Sequence, residues 1–324
     1  MTSAVHVPQV SDVSVRGLEE RDLATADRIF RQAFGTFLGV PDPLTFGGDA
    51  DVVASRWRAD PATALAAECD GELVGSNFVT RWGSVGFFGP LTVRPDLWDR
   101  GIASRLMEPT LDLLAHPDIR HAGLFTFAHS TKHLHLYQKF GFWPRSLTPL
   151  LVKPVAGTAG ASPATCFSEL SAPDQGAALR ACGALTSSIY EGLDLSREIQ
   201  AVQTQQLGET LLVYAGSQLA SFAVCHCGAG SEAGTGVCFV KFGAARPGPN
   251  AAEDFAGLLA ACEGFAAARG AGAVLGGMQT ARHQAYQAML AHGFRFGPLV
   301  GVSMHRPDAP GYNRPDVYVI DDWR

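Results

Sequence analysis

Residues 89–106, which read GPLTVRPDLWDRGIASRL, carry the strongest indication of the fold. An apolar run that ends at Val93 predicts a strand, a Pro-Asp turn follows, and the residues from Ile102 onward have the apolar spacing of a helix. A helix that begins at such a junction directs the unpaired N–H groups of its first turn and the positive end of its dipole at one point. Because Gly101 has no Cβ to block close approach, the junction indicates a site for a phosphate-bearing ligand.

A second motif lies further along the chain, at Leu136-Tyr137-Gln138-Lys139-Phe140-Gly141-Phe142. This pattern predicts the end of a helix, a glycine that caps it, and the start of an apolar strand. Tyr137 falls in the last turn of that helix. Each motif alone is common, but the two in this order are far more specific.

Together the two motifs resemble the GCN5-related N-acetyltransferase (GNAT) superfamily, and the resemblance covers residues 12–153. The acyl-CoA loop of that family follows the pattern Gln/Arg-x-x-Gly-x-Gly/Ala, with which Trp98-Asp99-Arg100-Gly101-Ile102-Ala103 aligns. The later family motif, Leu-Tyr-x-x-x-Gly-Phe, is intact. Trp98 departs from the pattern because it offers no charged or amide side chain to a pyrophosphate, which backbone donors and Arg100 would have to bind instead.

The resemblance implies an acyltransferase that uses acetyl-CoA as the acyl donor. Tyr137 would be catalytic by donating a proton to the CoA sulfur, a role that suits a phenol with an ordinary pKa of about 10. Backbone amides of strand four, which splays from strand five to admit the thioester, would polarise its carbonyl. The donor would be bound by Leu91, Thr92, Val93, Asp99, Arg100, Gly101, Ile102, Ala103 and Ser104.

The general base is left open by the sequence. Many family members have an acidic residue on strand four, whereas residues 84–93 contain none. Glu68, Asp70 and His129 are the candidates, acting directly or through water.

The fold class that follows is α/β (α+β), with two tandem GNAT-like domains, each a mixed, mostly antiparallel sheet flanked by helices. Residues 1–153 would form the catalytic domain, 154–165 a Gly-, Ala- and Pro-rich linker, and 166–324 a degenerate copy. The first half is predicted to have helices at 22–34, 49–58, 102–114 and 131–139, and strands at 13–16, 64–68, 73–80, 85–93 and 123–128. In the copy, residues 167–170 would be its first strand.

The copy lacks the chemistry of the first half. Its loop, residues 245–250, has no Gly-x-Gly/Ala unit, and two prolines remove backbone donors. Met289 stands where Tyr137 would be, and a thioether cannot act as an acid; Tyr286, nearly one turn earlier, is the alternative.

Composition narrows the class of protein further. The 324 residues are 47% hydrophobic and 17% charged with a net charge of −6, which predicts a globular protein that does not bind nucleic acid. No signal peptide and no membrane span are predicted, and seven cysteines fit free thiols in the cytoplasm. No metal site is expected, because Cys225-His226-Cys227 has no second ligand pair.

We therefore expect an N-acyltransferase that transfers acetyl from acetyl-CoA to an amine of a small molecule or peptide by direct attack. The alternative is a non-catalytic acyl-CoA-binding or regulatory protein. The chain could be a monomer or a homodimer, since the fused halves could replace the partner that single-domain relatives recruit.

Overall fold

The computed structural model describes residues 13–155 and 164–324, which form the predicted mixed α/β fold with mostly antiparallel sheets. Two compact units are present. The first unit comprises the described residues up to Gly48, with Val52–Thr80 and Phe88–His116. The second unit comprises Asp49–Asp51, Arg81–Phe87 and the described residues from Pro117 to Arg324.

The first unit is built on an antiparallel sheet. β1 pairs with β2, β2 pairs with β3, and β3 also pairs with the two-residue strand β5. The elements are β1 (Val13–Gly17), α1 (Leu23–Phe37), α2 (Val52–Ala59), β2 (Ala64–Cys69), β3 (Glu72–Trp82, whose last two residues belong to the second unit), β5 (Thr92–Val93) and α3 (Ile102–Leu114).

Two apolar clusters hold this unit together. One packs α3 against the sheet, with Ile102 and Leu106 against Val93 and Leu97. The other buries the predicted apolar face of α1, whose members Ala26, Ile29 and Phe30 are at most 7% exposed. The helix at 102–114 is confirmed residue for residue, whereas the single strand expected at 85–93 is divided into β4 (Val85–Phe88) and β5.

The second unit contains the remaining elements. They are β4 (whose last residue, Phe88, belongs to the first unit), β6 (His121–Phe127), α4 (Thr131–Lys139), β7 (Trp143–Pro154), β8 (Thr165–Cys166), α5 (Ala172–Ile189), α6 (Ser196–Gln205), β9 (Gly208–Ala215), β10 (Gln218–Gly228), β11 (Gly234–Ala245), α7 (Ala251–Ala268), β12 (Ala273–Gly277), α8 (His283–Ala291), β13 (Arg295–Arg306) and β14 (Val319–Ile320). Residues 167–169 form a short 3₁₀ helix, so the strand expected at 167–170 is wrong, and α6 was not predicted.

The last strands of the two sequence repeats change places. β13, from the second repeat, lies between β6 and β7 of the first and pairs antiparallel with both. β7 in turn pairs with β12 of the second repeat, from Leu150 opposite Gly277 to Pro154 opposite Ala273. The strand order is β4-β6-β13-β7-β12-β11-β10-β9-β8. This exchange explains why residues 117–153 belong to the second unit, although by the sequence repeat they are part of the first half. The predicted domain boundary after residue 153 follows the sequence repeat and stays a prediction.

Apolar clusters cover both faces of this sheet. Along β10, Phe222 and Val224 belong to the cluster under α5 and α6. The intervening Ala223 and the next residue, Cys225, belong to the cluster under α7 and α8. Because side chains alternate along a strand, the two clusters lie on opposite faces.

A buried polar network fixes the segment that follows β13. Arg282 is fully buried, and its guanidinium donates to Asp321 (2.7 Å), to the Asn313 side chain (2.8 Å) and to the Val319 carbonyl. The second carboxylate oxygen of Asp321 accepts from the Tyr312 hydroxyl at 2.7 Å. Each charged group therefore has the hydrogen-bonding partners that burial requires.

We expect Asp321→Ala to lower the free energy of unfolding by about 3–5 kcal/mol, because Arg282 would remain buried without a counter-charge. Urea denaturation followed by circular dichroism measures the loss. Glu191→Ala, which removes the exposed partner of Arg120, is the control and should have a much smaller effect. Equal losses in the two variants would contradict the importance of the buried pair.

Candidate functional site

The predicted phosphate loop has the backbone geometry that an anion site needs. Gly101 is the N-cap of α3 and has a φ of 78°, in the left-handed region that favours glycine. Asp99 also has a positive φ, of 65°. These two residues turn the chain sharply from the Pro95–Leu97 turn into the helix, and Gly101 is exposed at the start of α3.

The first turn of α3 supplies the donors. The N–H groups of Ser104 and Arg105 both bond to the Gly101 carbonyl, which closes the turn. The N–H groups of Ile102 and Ala103 precede the first carbonyl that an α-helix could offer them, and therefore point out of its N-terminal end. A pyrophosphate fits this arrangement, since the helix dipole adds positive potential at the same place.

Trp98 has a structural role that the sequence did not reveal. Its indole N–H donates to the Val93 carbonyl at 2.8 Å, and its ring is half-buried against the apolar cluster of α3. Trp98 has no charged or amide side chain to offer a pyrophosphate, and its indole N–H bonds to the chain itself. The Trp98 side chain instead stabilises the loop through its hydrogen bond to Val93 of β5.

Leu91, Thr92 and Val93 lie at the edge strand from which the loop begins. Arg94 N–H donates to the Val74 carbonyl at 2.9 Å. Because backbone N–H groups alternate in direction along an antiparallel strand, the N–H of Thr92 also points toward β3, whereas the N–H of Val93 points away from it. The bond from Trp98 to the Val93 carbonyl, on that same outer side, agrees with this orientation.

β3 fits tightly against this edge at two residues that sequence reasoning missed. The Ser76 and Thr92 hydroxyls are hydrogen-bonded at 3.0 Å in the core. A Cβ on Gly75 would lie 2.6 Å from the Thr92 carbonyl oxygen, so only glycine fits there. The sequence alone could not identify these two residues, because a glycine inside a strand suggests a close approach of another backbone but does not show which one.

Tyr137 is held at the end of α4 by a Schellman motif. The Phe142 N–H bonds to the Tyr137 carbonyl and the Gly141 N–H to the Gln138 carbonyl, with Gly141 at a φ of 80°. Tyr137 is 8% exposed, and burial raises the pKa of its phenol well above the usual value of 10. The hydroxyl therefore stays protonated over the whole physiological pH range.

The structure places the predicted site residues in two groups. The first unit contains all of the predicted donor-binding residues, in two short stretches separated by residues 94–98: Leu91, Thr92 and Val93, and then Asp99, Arg100, Gly101, Ile102, Ala103 and Ser104. Tyr137 belongs to the second unit.

The candidate bases differ in their surroundings. Glu68 accepts a hydrogen bond from Arg16 at 2.8 Å, and Arg16 also pairs with Asp22. Asp70 lies in the turn between β2 and β3 with a φ of 51°. His129 is exposed and lies two residues after the end of β6.

The described residues, 13–155 and 164–324, were predicted to hold no metal ion and no membrane span. No group of three or more His, Cys, Asp and Glu side chains in these ranges could hold a metal ion. Cys225 packs in the cluster under α7, whereas His226 faces the other side of β10, 3.8 Å from Glu198. Of the helices described there, none is long and apolar enough to cross a membrane.

Comparison with known sequences assigns residues 29–142 to the Acetyltransferase (GNAT) family. A mycothiol acetyltransferase from Acidimicrobium ferrooxidans is 36% identical over 102 residues, which cover 29% of this chain and 33% of the relative. A second one, from Clavibacter sepedonicus, is 33% identical over 99 residues, or 31% of this chain and 33% of the relative. The alignments thus span a third of the length of these curated relatives.

Solved structures share the fold over both repeats. A protein from Pyrococcus horikoshii superposes with a TM-score of 0.67 at 13% identity, over 100% of this chain and 99% of its own. A GCN5-related N-acetyltransferase from Sphaerobacter thermophilus gives a TM-score of 0.58 at 15% identity, over 92% of this chain and 96% of its own. At these identities the similarity concerns the fold alone.

Gly101→Ala should lower the free energy of unfolding by about 1–2 kcal/mol, because an L side chain is strained at a left-handed φ. Thermal or urea denaturation measures the change. Gly183→Ala is the matched control: this glycine lies inside α5 with nothing within 4 Å of an added Cβ, so alanine should stabilise the helix. Unchanged or increased stability of Gly101→Ala would contradict the left-handed turn.

Proposed function

Because residues 29–142 match the Acetyltransferase (GNAT) family, we propose that the chain is an acyl-CoA-dependent N-acyltransferase. The transferred group would be acetyl, and the acceptor a primary amine of a small molecule or peptide. The observation that carries the proposal is the start of α3: a left-handed Gly101 that directs the N–H groups of the first helical turn out of the loop.

The loop would bind the pyrophosphate of acetyl-CoA. Ile102 and Ala103 would donate their backbone N–H groups, and the Arg100 guanidinium would add a positive charge. Trp98 contributes indirectly, since its bond to Val93 holds the loop in place. A loop that is already ordered before binding loses little conformational entropy when the ligand arrives.

Val93 is the best-oriented donor for the thioester carbonyl. Its N–H points away from β3, so it can stabilise the negative charge that develops on the carbonyl oxygen as the amine attacks. Leu91, two residues before Val93 and directly before β5, would share this orientation if the alternation continues past the strand.

Tyr137 would complete the transfer. The acceptor nitrogen forms a bond to the carbonyl carbon, the C–S bond breaks, and the thiolate takes the phenolic proton of Tyr137. Because burial raises the pKa of Tyr137, the phenol is in its proton-donating form at any pH at which the protein works. The proton that the amine loses goes to a base, for which Glu68, Asp70 and His129 are the candidates.

The proposed acceptor class follows from the charge of the chain and from its relatives. The net charge of −6 suits a cationic amine, and two relatives bear the name mycothiol acetyltransferase. An amine on a cysteinyl sugar is thus one acceptor to test, beside peptide amines and aminoglycosides.

Titration calorimetry with acetyl-CoA tests the donor site. We expect one site per chain, and Gly101→Asp should abolish binding because a carboxylate would oppose the pyrophosphate. Asn250→Asp is the matched control: Asn250 is the N-cap of α7, where Gly101 is that of α3, so the same charge should leave binding unchanged. No binding by the wild type would overturn the proposal, and binding without turnover for any amine would favour the non-catalytic alternative.

Tyr137→Phe should lower kcat by about 10²–10⁴-fold while the Kd for acetyl-CoA stays the same, since only the proton donor is lost. Release of free CoA thiol, measured with a thiol reagent, follows turnover. Tyr286→Phe, in the corresponding helix α8, serves as control and should retain full activity. If both Tyr137→Phe and Gly101→Asp were fully active, the mechanism would be wrong.

A further inference from the structure

The two repeats can be aligned through their hydrogen bonds. Arg94 N–H donates to the Val74 carbonyl at 2.9 Å, and Arg246 N–H donates to the Ala220 carbonyl at 2.8 Å. The register that follows these bonds is the same in both repeats, with Val93 opposite Gly75 and Ala245 opposite Ser221. Gly243, Ala244 and Ala245 therefore correspond to Leu91, Thr92 and Val93.

In the second repeat, the outer side of this strand is paired. β14 runs antiparallel to it, with Ile320 opposite Gly243 and Val319 opposite Ala244. The Ala245 N–H, which corresponds to the outward N–H of Val93, donates to the Tyr318 carbonyl at 3.0 Å.

The same segment also contacts the neighbouring strand. The parallel pairing of β11 with β12 ends at Val240 and Gly276, and residues 318–322 lie where the two strands part. Asp321 forms a bridge with Met278, and a Cβ on Gly277 would lie 2.1 Å from the Asp322 Cβ. Residues 318–322 are called the inserted segment below.

The inserted segment is anchored firmly. Val319, Ile320 and Asp321 are fully buried, and Asp321 is paired with Arg282 and Tyr312. A buried ion pair of this kind opposes withdrawal of the segment, because withdrawal would strand the Arg282 charge.

We propose that the inserted segment is an internal occupant of the acyl-donor groove of the second repeat. This inference rests on the function proposed above. Since Ala245 corresponds to Val93, the groove between β11 and β12 is the counterpart of the groove that would receive the thioester in the first repeat. The extended backbone of Tyr318, Val319 and Ile320 uses the hydrogen-bonding edge that an acyl donor would need. The second repeat therefore binds no acyl-CoA, and the chain has a single donor site.

Trp323, the residue after the inserted segment, connects the second repeat to β4 and β6 of the first repeat. Trp323 is 1% exposed and packs on β6, where a Cβ on Gly123 would lie 2.2 Å from the indole ring. It also stacks with Phe87 of β4, ring centroids 6.5 Å apart. Phe87 and Gly123 are the last paired residues of β4 and β6. The second repeat thus supports the pair of strands that corresponds to its own β11 and β12.

Hydrogen–deuterium exchange of the full chain, with and without acetyl-CoA, tests the occupancy. Amides at 243–245 should exchange only through global unfolding, and acetyl-CoA should slow them no more than it slows other amides that exchange in this way. Amides at 91–93 should exchange more slowly when acetyl-CoA is bound. Two results would overturn the inserted-segment proposal. One is rapid exchange at 243–245 without ligand, and the other is that acetyl-CoA slows exchange there more than at other amides that exchange through global unfolding. Unchanged exchange at 91–93 would instead count against the proposed function.

Gly277→Ala provides the matched perturbation. The new methyl group would collide with Asp322, so exchange at 243–245 should become about tenfold faster or more. Gly257→Ala, in α7 with nothing within 4 Å of the added Cβ, should leave that exchange no faster. Equal exchange in the two variants would show that the segment does not depend on its fit against β12; if Gly277→Ala does not fold, the wild-type experiment decides alone.

Discussion

The position of β13 between β6 and β7 constrains the rest of the second unit. A strand inside a sheet must satisfy its backbone N–H and C=O groups on both sides, and β13 does so with two strands of the other repeat. β7 is thereby displaced onto β12, with which it forms a five-residue antiparallel register. Neither repeat can complete its sheet from its own residues in this arrangement, so the two depend on each other for folding.

The exchange also bears on the chemistry. α4 connects β6 to β7, and β13 separates the two strands, so the helix that carries Tyr137 is joined at its two ends to strands that β13 holds in register. Tyr137, the proposed proton donor, is therefore positioned by residues from both repeats. The second repeat has no Gly-x-Gly/Ala unit at residues 245–250 and has Met289 at the place of Tyr137, yet it keeps a structural role because it supplies β13 and Trp323. The inserted segment also stabilises the second repeat, because without it the backbone groups where β11 and β12 part would have no hydrogen-bonding partners.

Local signals in the sequence predicted part of this structure well. The bounds of α3 and α4 were correct because a glycine cap or a turn marks each end, and such signals act within a few residues. The expected strand at 167–170 was wrong because four residues of mixed polarity hold too little periodic information. Strand exchange could not be predicted, since β7 and β13 have the same pattern whichever partner they pair with.

The candidate site was predictable to a similar extent. Gly101 and Gly141 could be identified because each occupies a left-handed conformation that few other residues tolerate. The role of Trp98 could not, because its indole bonds to the carbonyl of a residue that only the folded turn brings near. The inserted segment gave no signal either: Val319 and Ile320 are two apolar residues whose partners lie more than seventy positions away in the sequence.

Cleavage between the repeats tests the exchange most directly. Residues 156–163 would be replaced by a protease recognition sequence, the purified protein cleaved there, and the product analysed by size-exclusion chromatography with light scattering under native conditions. Because β7 and β13 each lie among strands of the other repeat, the two fragments should elute together with the mass of the uncut chain and separate only in denaturant. Elution as two folded fragments, each of about half that mass, would contradict the exchange.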